Sequence, residues 1–171
     1  GHGHISAWNY PGMGFVDGAY SGSIMNCWGW ASWSHVWEEF IVWYDDEGFL
    51  SYTPKELKKM NFFWLSGFSS QLKLNLSGSL KTWAIFWYLF LVCRGFKTFQ
   101  PFRSLVINRG LYCGTNTTTN PDIVAPHLHD FSSFENSRTK NILAYLLLKF
   151  VFFLRLFKKI PRLLYGKISR L

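Results

Sequence analysis

No lysine or arginine occurs before Lys55. The first 54 residues carry Asp17, Glu38, Glu39, Asp45, Asp46 and Glu47. The remaining 117 carry all 18 basic residues against Glu56, Asp122, Asp130 and Glu135, which makes the local formal charges −6 and +14. So large a split decides what each half can lie against. The basic part is drawn to an anionic surface, either lipid headgroups or nucleic acid, and the acidic part is repelled by it. The chain therefore divides into an acidic, Gly/Trp-rich segment over 1–53 and a basic region over 54–171, with the change of sign at 46–53.

A length of 171 residues suits one domain. Aromatic residues make up 20% of it, with 9 Trp and 17 Phe, more than a small water-facing core requires. Trp and Tyr join an apolar body to a polar tip, which suits membrane and protein interfaces; a large aromatic core is the alternative. Cys27, Cys93 and Cys113 are scattered and form neither a disulfide framework nor a metal pair, so they read as isolated buried thiols. The sequons at Asn75 and Asn116 carry little weight without a secretory signal.

Residues 1–27 are glycine-rich. Gly14, Gly18 and Gly22 recur every four residues, which on a helix makes a smooth groove, but Pro11-Gly12 and the sparse apolar content favour a loop. Over 28–44, the residues Trp30, Trp33, Val36, Trp37, Phe40, Ile41 and Tyr44 fall on one face of an amphipathic helix. That face is wide and rigid, and Trp30, Trp33, Trp37 and Phe40 are its candidate partner-binding residues. Thr53-Pro54-Lys55-Glu56 is a capping box with Pro at the first helical position, and it starts a helix over 54–66. The apolar run 82–93 predicts a helix over about 80–94. It is short for a hydrocarbon core, which needs about 20 residues, so it reads as a buried or partly inserted helix.

Residues 100–139 are rich in Pro, Gly, Asn, Thr and Ser and read as a long irregular segment. A last helix is predicted over about 133–160. In its distal part Arg155, Lys158, Lys159 and Arg162 gather on one side and Leu156, Phe157, Ile160, Leu163 and Leu164 on the other. A basic, aromatic amphipathic helix of this kind suits an anionic membrane surface, and Lys158, Lys159, Arg162 and Lys167 are the candidate lipid contacts. The alternatives are a solvated basic face on a protein core, or a surface for RNA phosphates. The resulting fold class is mainly α and membrane-associated, with one or two membrane-contacting helices and long irregular connections.

The histidines offer weaker chemistry. His2 with His4, and His127 with His129, are HxH pairs that on a strand would share a face; Asp130 adjoins the second. His35 stands one turn before Glu38 and Glu39, which reads more simply as a surface pair than as a metal or proton-relay site. No phosphate loop, nucleophile elbow or catalytic triad is present, and no catalytic, metal or cofactor residue is assigned.

The clusters NFFWL (61–65), WAIFWYLFL (83–91) and LLLKFVFFLRLFKKI (146–160) give the chain a texture that resembles products of AT-rich mitochondrial genomes, such as the divergent hydrophobic reading frames of ciliates. This resemblance is one of composition and carries no motif. It implies an organellar inner-membrane or mitoribosomal assembly. The functional expectation is a non-catalytic accessory subunit of a mitochondrial inner-membrane respiratory complex, not an enzyme by itself, with other subunits and anionic lipid as partners. The alternatives are a mitoribosomal protein that binds rRNA through its basic region and a small metal- or haem-binding protein.

Overall fold

A computed structural model of the chain describes residues 1–107, apart from 11, 12, 15, 63 and 64, and the backbone of a helix over 138–168, with side chains described over 139–154. Four short strands form one mixed sheet: β1 (His2–Ser6), β2 (Ala19–Gly22), β3 (Trp30–Ala31) and β4 (Lys97–Pro101), in the order β2-β4-β1-β3. β1 runs parallel to β4, and β2 and β3 are antiparallel to their neighbours. The helices are α1 (Ser34–Asp45), α2 (Pro54–Met60), α3 (Phe68–Leu76), α4 (Ala84–Cys93) and α5 (Arg138–Ile168), with a 3-10 turn at Gly48–Leu50.

This architecture corrects the mainly α fold class: helices pack with a four-stranded mixed sheet. No helix among the described residues is long and apolar enough to cross a membrane. The strands escaped the sequence reading because they are two to five residues long and carry Gly, His, Ser, Thr and Gln in place of alternating apolar residues. Gly3 shows the reason. A Cβ there would lie 2.7 Å from Phe96 Cγ and 2.8 Å from Leu91 Cδ2, so β1 fits beside α4 only if that position has no side chain.

The Gly14, Gly18 and Gly22 spacing does not form a helical groove: Gly18 has φ +96° and Gly22 belongs to β2. The helix expected over 28–44 begins at Ser34, because Trp30 and Ala31 pair with Ser6 and Ile5. The helix expected over 54–66 ends at Met60, and Phe62 takes a left-handed backbone, φ +45°. Its capping box is present: Glu56 N donates to Thr53 Oγ1 at 3.2 Å, and Thr53 N donates to Glu56 Oε2 at 2.6 Å. α3 was not predicted. Of the segment expected to be irregular over 100–139, Pro101 completes β4, and 108–137 lie outside the described residues.

α4 organises the larger core. Ile85 through Val92 are all buried, as a helix apolar on every side must be when it is enclosed. Its 10 residues span about 15 Å, half a hydrocarbon core. The helix is enclosed by α1, α2, α3 and the sheet, so it is the buried helix of the two readings. A second core cluster joins Met13, Tyr20, Ile24, Phe62 and Phe102 to the inner face of α5.

Candidate interaction surface

The aromatic face of α1 turns inward. Phe40 is buried, Trp30 and Trp37 are half-buried, and all three surround Trp87 of α4 with ring centroids 5.0–6.0 Å apart. Offset and edge-on rings at this separation contribute about 1 kcal/mol per pair beyond the area they bury. The rigid face expected to meet another subunit therefore meets α4 of the same chain, which is as aromatic as α1. Trp33 and Trp83 remain at its edge, 40% and 45% exposed. His35 is exposed on the opposite side of α1, and Glu39 there pairs with Arg94 Nε at 2.7 Å.

α5 carries apolar residues on two opposite sides. Ala144, Leu148, Val151 and Phe152 are buried against the second core cluster. Phe152 meets Tyr10 at 5.0 Å, and Asn141 Oδ1 accepts from Ser21 N at 2.7 Å, which anchors the helix to β2. Ile142, Leu143, Leu146, Phe150, Phe153 and Leu154 are 37–58% exposed. At 3.6 residues per turn these six form one stripe facing away from the core. Lys149 lies beside the stripe and sits over the Tyr145 ring at 4.5 Å. Lys158, Lys159, Arg162 and Lys167 belong to the same helix, but their side chains lie outside the described residues. The outward apolar stripe was missed by sequence reasoning, although its i, i+4, i+8, i+11 spacing from Ile142 is present in the letters. Both sides of 141–154 are apolar, so periodicity alone did not tell the buried side from the exposed one.

The first histidine pair does not act as a unit. A register irregularity falls between His2 and His4. His2 hydrogen-bonds Ser21 Oγ at 2.9 Å, while His4 is fully buried, stacks on Trp30 and lies between Trp87 and Asn26. Trp87 Nε1–H donates to His4 Nδ1 at 3.0 Å, so the proton of the neutral ring sits on Nε2 and is donated to Asn26 O at 2.9 Å. Burial lowers the His4 pKa to about 4, against the smaller opposing effect of the Asn26 bond. No group of three metal-ligating side chains occurs among the described residues, and His127, His129 and Asp130 lie outside them.

Behind His4 runs a buried polar chain that the sequence did not disclose. Asn26 Nδ2 donates to Gln100 Oε1 at 3.0 Å, Gln100 Nε2 to Tyr20 OH at 2.6 Å, and Tyr20 OH to Asn9 Oδ1 at 3.2 Å. Each member has a partner, and the chain ties β2, β4 and the segment after β1 together. Burial pushes the Cys27 thiol up, and burial with nearby Glu56 pushes Cys93 up to about 11. Both are therefore neutral thiols near pH 7, not activated nucleophiles. Cys113 lies outside the described residues. The feature that most asks for a partner is the outer stripe of α5. Comparisons with protein-family models, with curated proteins and with solved structures find no match.

Proposed function

We propose that the chain is a non-catalytic subunit whose C-terminal helix seats on an anionic membrane surface. One observation carries this reading: α5 buries one apolar stripe against its own core and turns a second one outward. Six half-exposed apolar side chains moved from water into a headgroup–acyl boundary contribute about 1 kcal/mol each. Basic residues add about 1 kcal/mol apiece near an anionic surface. Lys149 lies beside the stripe, and the sequence places Lys158, Lys159, Arg162 and Lys167 further along the helix. An interfacial helix needs no membrane-spanning length, so the absence of a crossing helix among the described residues is compatible with this seat.

In this reading the surface is the mitochondrial inner membrane and the further partners are subunits of a respiratory complex; the compositional resemblance to products of AT-rich mitochondrial genomes is what supports it. The rRNA reading is disfavoured by the same stripe, since phosphate contacts require cationic rather than apolar side chains.

Flotation of the purified protein with vesicles tests the reading. Vesicles containing cardiolipin should carry the protein upward, and vesicles of phosphatidylcholine alone should carry less. The double variant Leu146→Glu/Phe150→Glu should lose flotation. Equal flotation of this variant and the wild type, or recovery of the protein with ribosomes and its release by salt, would overturn the assignment.

A further inference from the structure

β2 is an edge strand of the sheet, and α5 packs against it. Between them lies a half-open cavity of about 350 Å³. Phe62, Ile142 and Leu148 wall it, with Tyr20 and Tyr145 beside them, and the surface it presents is mostly apolar. Ile142 also belongs to the outward stripe of α5, so cavity and stripe are continuous there.

The rest of the lining is Ser21, Gly22, Ser23, Asn141 and Lys97. Two of its side chains are already engaged. His2 hydrogen-bonds Ser21 Oγ at 2.9 Å, and Asn141 Oδ1 accepts from Ser21 N at 2.7 Å. Tyr20 OH is likewise taken up by Gln100 and Asn9. Lys97 differs. It is exposed, it is the one charged residue of the lining, and it has no carboxylate partner among the described residues.

The position of Lys97 follows from its neighbours. It pairs with His2 in the register of β1 and β4. The His2 pKa is lowered by burial first and then by nearby positive charge, that of Lys97 included. The ammonium therefore stands near the His2 ring, on the side where Ser21 forms the wall, and His2 itself is neutral near pH 7.

We propose that this cavity binds a fatty carboxylate: the acyl chain lies against Phe62, Ile142 and Leu148, and the carboxylate stays at the mouth beside Lys97. A chain needs apolar walls and no hydrogen bonds, and the engaged polar groups leave it that surface. A hydrated head at the rim needs only a counter-charge, which exposed Lys97 supplies. Volume decides between a fatty acid and a phospholipid. At about 350 Å³ the cavity is near the lower end of small-ligand sites, enough for one medium chain and too small for two.

Octanoate and octylammonium share a chain and differ in the sign of the head. Both are titrated by ligand-observed NMR below their micelle concentrations. Octanoate should bind about two- to tenfold more tightly, from one exposed ion pair gained and one repulsion avoided. Nuclear Overhauser contacts should run from the chain to the methyl groups of Ile142 and Leu148. Lys97→Glu should reverse the order. Lys81→Glu makes the same change of net charge at an exposed residue outside the lining, and should leave the order as it is. Ser23→Trp, at an exposed lining position, should close the cavity and abolish binding of both without lowering the unfolding midpoint. Absence of octanoate binding, an order unchanged by Lys97→Glu, or chain contacts elsewhere on the protein would overturn the proposal. So would tighter binding of soluble dihexanoylphosphatidate than of octanoate, which would give the cavity to a membrane lipid. Every probe is free in water and no substitution touches α5, so this proposal and the membrane seat fail separately.

Discussion

Trp87 of α4 donates its indole N–H to His4 Nδ1 of β1 across 3.0 Å, joining the central helix to the sheet through two fully buried rings. The bond requires a neutral imidazole, because a protonated ring has no acceptor at Nδ1. In the folded chain the His4 pKa is about 4, below the 6.5 of a free histidine, so between these values the unfolded chain binds the proton that the folded chain refuses. The stability associated with His4 is therefore complete above about pH 6.5 and is lost as the pH falls through the window to about 4. The full loss is ~3 kcal/mol. Urea denaturation at intervals across this range should show the decline, and His4→Gln should lack this component. A variant that declines as steeply as the wild type would contradict the buried, neutral assignment.

Gly3 faces Phe96 and Leu91 so closely that even a methyl group must displace one of them. Gly3→Ala should cost about 1–3 kcal/mol, the usual range for overpacking. Gly67 has open space around its Cβ position and a negative φ, so Gly67→Ala should change stability little. Thermal unfolding of the two variants side by side separates close approach from a general effect of removing glycine.

The two sides of α5 should respond differently to substitution. Leu148 is 2% exposed in the second core cluster, and Leu148→Ala should cost roughly 2–5 kcal/mol. Leu146 is 56% exposed, and Leu146→Ala should leave the unfolding midpoint nearly unchanged while weakening flotation with cardiolipin vesicles. Comparable destabilisation by both variants would mean that the outer stripe is covered within the folded chain.

The capping box at Thr53 lies on the surface and contributes through two local hydrogen bonds. Thr53→Ala should cost about 1 kcal/mol, with Thr53→Ser restoring most of it. Chemical denaturation of the pair checks this. A loss restored by serine points to the hydroxyl acceptor rather than to the packing of the threonine methyl group.

Features governed by neighbours along the chain were legible in the letters. The Thr53–Glu56 cap, the apolar periodicity of α1, the continuous apolar run of α4 and the helical tendency of 133–160 each depend on residues within a few positions of one another, and each is present as a helix, the last described from Arg138 onward. Their ends were less legible. α1 loses its first residues to β3, and α2 stops at Met60 where Phe62 turns the backbone left-handed.

Which side of a helix faces inward, and which strands meet, was settled only by tertiary structure. β1 and β4 pair across more than ninety residues through backbone groups that every amino acid carries, so HGHIS and KTFQP announce nothing to each other in sequence. The identity of Trp30, Trp37 and Phe40 marked them as contact residues, but their partner proved to be Trp87 of the same chain. Burial likewise made His4 a hydrogen-bonded core residue instead of half of a metal pair. Composition and local spacing determine where helices can form and where charge accumulates. Only the packing of distant segments determines which apolar surface is satisfied and which, on the outer side of α5, is left facing outward.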